Sequence, residues 1–289
     1  MSNALAVRLE HTVPITLEPL MRTVAAHAIP GIETCDLLAA RHSRTVRGGE
    51  LVVTVAWDEP GSVRLSVVDH DGDAPVDDAL VATVRRWLDL DREVEGIDAH
   101  LAQSGTLAPL VAARPGLRIL GSVDGFETAA MTVIGQQVSL GAARTFGGRL
   151  VAALGGDAPA GFRSFPTAEA VAAVDVDTLR SIVGLTGARA ATVSALAHAV
   201  ASGDLLLGMD DDPHAARAAL LAVRGIGPWT ADYVALRLFG DRDAYPADDL
   251  VLKKALGVRT GTAAARLSED WAPLRAYAVT HLWTQTAFS

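Results

Sequence analysis

Residues 220–257 read LLAVRGIGPWTADYVALRLFGDRDAYPADDLVLKKALG, and they are the most informative part of the chain. It predicts two helices joined by a glycine turn, because Gly225 and Gly227 permit positive φ angles and close backbone approach. Pro228 suits the first turn of the second helix. Such a turn beside a helix N-terminus exposes backbone N–H groups that can bind an anion. Gly225, Ile226 and Gly227 are therefore candidate phosphate-binding residues.

Two adjacent carboxylates follow the second helix. Asp248 and Asp249 come after Pro246, at the predicted start of a third helix. A helix N-terminus favours the charged form of a carboxylate. A charged carboxylate can stabilise a developing positive charge or orient an attacking water molecule. Both aspartates meet this requirement, so position alone does not choose between them.

Composition indicates an ordinary globular protein. The chain has 289 residues, half of them hydrophobic, and a single cysteine, Cys35. One cysteine excludes an internal disulfide and a cysteine cluster for zinc or iron–sulfur. No apolar stretch reaches the roughly 18 residues of a membrane span, and the N-terminus has no secretory pattern. We expect a soluble cytoplasmic protein without a membrane partner.

The net charge of −9 is unevenly distributed. Residues 1–112 carry a net charge of −8, whereas residues 113–289 carry only −1. Binding to nucleic acid would therefore depend on a local patch or on backbone amides, because the chain has no overall positive field.

The patterning divides the chain into two parts. Residues 6–13, 51–57 and 62–68 alternate apolar and polar side chains, which predicts half-buried strands, and residues 17–28 have helical spacing. From about residue 76 the pattern is helical. Helices are predicted over 124–137, 139–154, 167–174, 176–183, 188–201, 212–223, 263–267 and 273–286. The fold class is α+β, with a mixed α/β domain over 1–75 and an all-α region over 76–289.

The helical part resembles the AlkA-type DNA-3-methyladenine glycosylases (glycosylase II) of the helix-hairpin-helix (HhH-GPD) superfamily. Five blocks carry the resemblance in the correct order: residues 114–118, 121–127, 134–139, 224–233 and 276–283. The resemblance implies a small TATA-box-binding-protein-like N-terminal domain ahead of an HhH-GPD core. It places the helix-hairpin-helix at about 212–239 and the catalytic loop at 240–249.

Two absences define the subclass that the resemblance implies. Bifunctional members carry a catalytic lysine just after the hairpin, where Trp229 stands here, and the only lysines of this chain are Lys253 and Lys254. Members similar to endonuclease III and MutY carry a four-cysteine cluster, which this chain lacks. The resemblance therefore implies a monofunctional glycosylase that hydrolyses the N-glycosidic bond without lyase chemistry.

The family pattern bears on the choice between the two aspartates. The family places its catalytic carboxylate four residues before a basic residue, which fits Asp249 and Lys253. Counting two residues after Pro246 favours Asp248 instead. Asp249 is the first choice for the catalytic carboxylate and Asp248 the second. With Asp249 as catalyst, we expect Asp248 to be the N-cap of the following helix.

The resemblance also assigns the residues that would hold an extruded base. Trp229, Tyr233 and Trp283 match the family's aromatic pocket, where ring faces attract a cationic alkylated base by about 0.5–2 kcal/mol each. Gln137 matches the wedge that fills the gap left by the flipped nucleotide. Ordinary packing is the alternative for the aromatic residues. A plain helix-terminal glutamine is the alternative for Gln137.

In relatives, main-chain carbonyls of the hairpin bind a monovalent cation that bridges to a DNA phosphate. The matching carbonyls here belong to Leu221, Val223 and Gly225, which implies a structural Na⁺ or K⁺ site. No other cofactor is expected. The implied partner is double-stranded DNA with damaged bases. We expect a bacterial, nucleoid-associated monomer.

The function implied is base excision repair of alkylated DNA. The candidate lesions are 3-methyladenine and 7-methylguanine, with hypoxanthine as a further candidate, and the product is an abasic site. A helix-hairpin-helix module that binds damaged DNA without cleaving it is the main alternative. Such a module would need neither the pocket aromatics nor the carboxylate. An oxidised-purine glycosylase is a second alternative, which would require a lysine at Trp229.

Overall fold

The computed structural model describes residues 6–287, and its N-terminal part is built on one antiparallel sheet. The strands are β1 (Val7–Glu10), β2 (Glu33–Asp36), β3 (Arg41–Val46), β4 (Leu51–Glu59), β5 (Ser62–Asp69) and β6 (Gly72–Asp73). Their order in the sheet is β1-β5-β4-β3-β2, and β6 pairs with β5.

The remainder of the described chain is helical. None of these helices is long and apolar enough to cross a membrane. The helices are α1 (Leu17–His27), α2 (Asp78–Trp87), α3 (Val94–Leu101), α4 (Ala108–Ala113), α5 (Gly125–Ile134), α6 (Leu140–Leu154), α7 (Ala168–Ala172), α8 (Val176–Val183), α9 (Gly187–Ala201), α10 (Pro213–Ala222), α11 (Pro228–Arg237), α12 (Leu250–Ala255), α13 (Gly261–Leu267) and α14 (Arg275–Ala287).

The apolar face of the sheet forms the core of the N-terminal part. Val53, Val55 and Leu65 are fully buried there, as the alternation in β4 and β5 predicts. Helix α1 packs on this face, and so does α2 through Leu80 and Trp87. The core of the sheet therefore extends beyond residue 75, and the domain division at that residue stays a prediction.

Strands β2 and β3 were not predicted, because polar residues point into the protein from them. Arg44 is only 5% exposed, and it donates to both carboxylate oxygens of Glu127 at 2.7 and 2.8 Å. His42 lies 3.2 Å from the carboxylate of Glu33. A buried charge is tolerated only with such partners, and Glu127 belongs to α5. This ion pair therefore connects the sheet to the helical region.

The helical region has two apolar cores that share one helix. The first is built around α5, α9 and α10, and the second around α3, α4, α12 and α14. Helix α11 contributes Ala231 and Val234 to the first core, and Ala235 and Leu236 to the second. Because α11 is fixed from both sides, its remaining face can present side chains at a constant position. The predicted α+β architecture is confirmed.

The helix predicted over 124–137 ends at Ile134, three residues early. Asp124 caps its start by accepting from the Glu127 N–H, as the capping pattern predicts. At its end the chain turns away, and Gln137 takes a left-handed conformation with φ of 57°. Ser139 then caps α6 by accepting from the Ala142 N–H, in agreement with the prediction.

Buried His281 on α14 should make the fold sensitive to acid. Its side chain is in the second core, only 1% exposed. Burial, aided by the positive charge of Arg114, lowers its pKa from 6.5 to about 4. Between these pH values His281 is protonated in the unfolded chain but neutral in the folded chain. The free energy of unfolding therefore falls as the pH drops from about 6.5 to 4. One group with this shift contributes at most about 3 kcal/mol.

We expect His281→Leu to lose less stability than the wild type between pH 7 and pH 4.5, as measured by urea unfolding. His70→Leu is the control, because His70 is exposed in the turn after β5. It should keep the wild-type pH dependence. Equal acid sensitivity of His281→Leu and the wild type would contradict this assignment.

Candidate active site

Asp249 is the N-cap of α12 and is buried. Its Oδ1 accepts from the Leu252 N–H at 2.8 Å, and the residue is 8% exposed. The preceding turn is closed by a hydrogen bond from the Asp249 N–H to the Pro246 carbonyl at 2.8 Å. The helix N-terminus stabilises the negative charge of this carboxylate. The sequence Pro-Ala-Asp-Asp thus directs one carboxylate inward at the start of a helix.

Two indole groups complete the surroundings of this carboxylate. Trp229 Nε1 donates to Asp249 Oδ2 at 2.9 Å, and Trp283 Nε1 donates to Oδ1 at 3.1 Å. Trp229 is in the first turn of α11, and Trp283 is on α14. Three helices therefore hold one carboxylate through three N–H donors. Hydrogen bonds to a charged group contribute about 1.5–3 kcal/mol each, so its position is well determined.

The three aromatic residues assigned to the pocket lie together. The ring centre of Tyr233 is 5.6 Å from that of Trp229 and 5.6 Å from that of Trp283. With Asp249, these rings line a cavity of about 990 Å³ between the N-terminal part and the helical region. All three are only partly buried. Part of each side chain therefore packs against the protein, and part of each ring surface remains available to a ligand.

Asp248 is not the N-cap that we expected. Helix α12 begins at Leu250, so the residue before it, Asp249, occupies the cap position. The side chain of Asp248 is 72% exposed and lies 3.5 Å from Lys253 Nζ. The prediction failed because it placed the helix start one residue early. Asp249 is thus both the N-cap of α12 and the buried carboxylate of the site.

The candidate wedge residue Gln137 is exposed at the edge of the cavity. Its neighbour Gln136 also lines the cavity, and the Nε2 of Gln136 donates to Thr230 Oγ1 at 3.0 Å and to the Gly225 carbonyl at 3.4 Å. Arg189 also donates to the Gln136 carbonyl. The loop that carries Gln137 is thus attached to the hairpin. Its wedge role stays a prediction.

The glycine hairpin has the predicted position, between α10 and α11, but only one of its glycines has a positive φ. Gly225 has φ of 94°, and a Cβ there would meet Thr192 Oγ1 at 2.0 Å. Gly227 is the N-cap of α11 with φ of −110°, so it does not use the positive φ that a glycine permits. A Cβ on Gly227 would meet nothing within 4 Å. Its open side leaves space for an approaching phosphate.

The carbonyls that would hold a monovalent cation are partly occupied by hydrogen bonds. The Val223 carbonyl accepts from the Ile226 N–H at 3.1 Å, and the Gly225 carbonyl accepts from Gln136. A carbonyl oxygen has two lone pairs, so both retain one for a cation. Together with the Leu221 carbonyl they are compatible with Na⁺ or K⁺, and the site stays a prediction.

Comparison with known proteins places the chain in a family. It matches the AlkA N-terminal domain over residues 6–124 and the HhH-GPD superfamily base excision DNA repair protein over residues 130–264. It is 33% identical over 264 residues to DNA-3-methyladenine glycosylase 2 of Escherichia coli, with 90% of each chain covered. The chain belongs to the AlkA family of HhH-GPD proteins.

Other relatives agree with membership of the AlkA family. A Mycobacterium tuberculosis protein described as a "probable bifunctional transcriptional activator/DNA repair enzyme AlkA" is 37% identical over 98% of this chain. The chain spans only 57% of that relative's length. The 3-methyladenine DNA glycosylase of Archaeoglobus fulgidus has the same fold, with a TM-score of 0.82 over 98% of both chains. At 20% identity, that likeness concerns the fold alone.

Two residues near the site of this AlkA family member were missed by the sequence analysis. Arg237 lines the cavity beside Tyr233. It could have been found, because residues four apart share a helix face. Gln136 could not have been found in this way. Its partner Thr230 is 94 residues away in sequence, and only the folded chain brings the two together.

The contact between the loop and the hairpin should contribute to stability. Gln136→Met keeps the side-chain length but removes the amide that reaches Thr230 and Gly225. Thr230 is 2% exposed, so its hydroxyl would lose a partner that water cannot fully replace. We expect the free energy of unfolding to fall by about 1–3 kcal/mol, as measured by urea denaturation.

The neighbouring residue provides a matched control for this measurement. Gln137 is exposed, so Gln137→Met should change the free energy of unfolding by less than about 0.5 kcal/mol. Equal effects of the two substitutions would show that the amide of Gln136 does not hold the loop.

Proposed function

We propose that this protein is a monofunctional DNA glycosylase that removes alkylated bases from double-stranded DNA by hydrolysis. One observation carries the proposal: a buried carboxylate, that of Asp249, is fixed by three N–H donors in a cavity lined by aromatic rings. Membership of the AlkA family supports the same activity.

The chemistry follows from charge development during cleavage of the N-glycosidic bond. As the bond to the base breaks, positive charge develops on the deoxyribose. The negative charge of Asp249 would stabilise that transition state and could orient the water that attacks C1′. The three N–H donors fix the carboxylate before the reaction, so little reorganisation is needed. The base leaves with the bonding electron pair, and the attacking water adds its hydroxyl group to C1′ of the abasic site. The remaining proton of that water passes to solvent or to the departing base.

Recognition of the damaged base depends on removing it from the helix. The flipped base would enter the cavity beside Tyr233, Trp229 and Trp283, while Gln137 fills the gap in the duplex. Aromatic faces favour a cationic base such as 3-methyladenine or 7-methylguanine. An alkylated base is also an intrinsically better leaving group. Moderate recognition is therefore sufficient for selective excision.

A lyase step is not part of the proposal. Lyase chemistry of this superfamily uses a lysine just after the hairpin, and Trp229 occupies that position. Lys253 follows the catalytic loop in sequence, whereas Trp229 precedes it. The Nζ atom of Lys253 lies 3.5 Å from Asp248 Oδ1, in an ion pair. The expected product is therefore an intact strand with an abasic site.

The DNA backbone would bind at the hairpin. The open face of Gly227 and the start of α11 offer backbone N–H groups to a phosphate. A Na⁺ or K⁺ ion on the carbonyls of Leu221, Val223 and Gly225 would add a positive charge there. Such local contacts suit a chain with a net charge of −9. We further propose that the protein acts as a monomer in the bacterial cytoplasm at the nucleoid.

Base release by two neighbouring variants tests the proposal. Duplex DNA with 3-methyladenine or hypoxanthine is incubated with protein, and abasic sites are then cleaved with alkali. We expect Asp249→Asn to lower the rate of base release by at least about 100-fold, because it removes the charge that stabilises the transition state. Asp248→Asn should retain activity, since Asp248 is exposed and makes only an ion pair with Lys253.

The same assay identifies the alternatives. Loss of activity in Asp248→Asn but not in Asp249→Asn would move the catalytic role to Asp248. Strand cleavage without alkali would contradict the monofunctional mechanism. If the wild type binds abasic DNA tightly yet releases none of these bases, the protein is a damage-binding module.

A further inference from the structure

Arg237 stands in the pocket without a role in the hydrolysis described above. It follows Tyr233 by four residues on α11, and its guanidinium carbon lies 5.7 Å from the centre of the Tyr233 ring. Its NH1 group donates to the Tyr233 hydroxyl at 3.2 Å. Arg237, Tyr233 and Asp249 all line the same cavity.

The positive charge of Arg237 is not neutralised by a carboxylate in the described part of the chain. Its polar contacts are those to Tyr233, and its buried Nε makes no hydrogen bond. The nearby His27 does not change this charge. Burial, and secondarily the charge of Arg237, lower the pKa of His27 to about 4, so its ring is neutral at pH 7. Within the described chain the terminal guanidinium nitrogens donate to Tyr233 alone, so they retain donors for a ligand in the cavity.

The position of Arg237 on α11 indicates which part of a bound base it would contact, namely the end remote from the deoxyribose. Residues 229, 233 and 237 lie along one face of α11, at intervals of about one helical turn, or roughly 6 Å. Asp249 lies at the Trp229 end of this row. A base whose deoxyribose is next to Asp249 and whose ring lies against Tyr233 therefore turns its distal edge toward Arg237.

The chemistry of that edge differs between candidate bases. Hypoxanthine carries O6 at the end of the ring remote from the sugar and N7 beside it, and arginine binds this pair of acceptors as it does that of guanine. 3-Methyladenine carries an amino donor in place of O6, and its positive charge is repelled by the guanidinium. Arg237 also lies over the Tyr233 ring, so that ring attracts a second cation less strongly.

We propose that Arg237 is a specificity-determining residue that favours hypoxanthine, a neutral deaminated purine, relative to 3-methyladenine. This inference rests on the proposed function, since it concerns which base the same pocket accepts. The guanidinium donates to O6 and N7 of the flipped base. It acts on recognition, and the bond-breaking step remains with Asp249.

The test compares two substrates with two variants. Values of kcat/KM are measured for hypoxanthine-containing duplexes and for release of 3-methyladenine from methylated DNA. We expect Arg237→Met to lower activity on hypoxanthine about tenfold, with activity on 3-methyladenine unchanged or raised. The hypoxanthine-to-3-methyladenine ratio then falls at least about tenfold. Arg237→Lys keeps the positive charge but lacks the paired donors of the guanidinium. Its hypoxanthine-to-3-methyladenine ratio should lie between those of Arg237→Met and the wild type.

Arg149→Met is the matched control. Arg149 also lies over an aromatic ring on its own helix, 6.0 Å from the centre of Phe146, but it does not line the cavity. Its substitution should leave the ratio unchanged. Equal losses on both substrates in Arg237→Met would mean that Arg237 only supports the pocket, and would overturn the proposal. An unchanged ratio would overturn it as well.

A binding measurement separates this inference from the proposed function. Trp229 and Trp283 line the cavity, so free hypoxanthine and 3-methyladenine can be titrated against tryptophan fluorescence. The proposal expects Arg237→Met to weaken hypoxanthine binding about tenfold and to spare 3-methyladenine. This result can be obtained even if the wild type releases no base from DNA, an outcome that would refute only the hydrolytic function. Equal binding of hypoxanthine by wild type and Arg237→Met would refute the role of Arg237.

Discussion

The hydrogen bonding of the Asp249 carboxylate is the constraint on which the site depends. A buried charge is tolerated only if donors replace the water that it loses. Here the donors are the Leu252 N–H, the Trp229 indole and the Trp283 indole, which belong to α12, α11 and α14. The three helices must therefore be correctly packed before the carboxylate can be accommodated. The same packing that stabilises the fold prepares the site for chemistry.

Helix α11 connects this carboxylate to the rest of the molecule. It begins at the glycine hairpin and belongs to both apolar cores of the helical region. Its exposed row presents Trp229, Tyr233 and Arg237 to the cavity. Gln136 adds a contact from the candidate wedge loop to the same hairpin. The candidate elements for phosphate binding, base binding and catalysis are thus arranged on or around one helix.

Local arrangement of charge matters more here than net charge. The chain carries −9 overall, yet an arginine without a carboxylate partner in the described residues stands in the cavity together with a buried aspartate. These two groups lie toward opposite ends of the aromatic row. We propose that Asp249 acts on the sugar and that Arg237 acts on the distal end of the base. Backbone N–H groups at Gly227 would supply the contact to phosphate.

Features that depend on near neighbours along the chain could be predicted from the amino-acid order alone. Glycine spacing, capping residues and apolar periodicity predicted the hairpin, most helices and strands β4 and β5. Short stretches of backbone carry these preferences, so they can be predicted locally. The family resemblance, confirmed by the comparisons, added the pairing of Asp249 with the aromatic positions.

Contacts between residues far apart in sequence became known only from the folded chain. Strand β3 was missed because Arg44 is stabilised inside by Glu127, 83 residues away. The start of α12 at Leu250 makes Asp249 the N-cap, and packing of distant helices brings Trp229 and Trp283 to the same carboxylate. Likewise, that no carboxylate among the described residues pairs with Arg237 is a property of the folded surroundings. Burial and the geometry of partners far apart in sequence set these outcomes, and no local pattern encodes them.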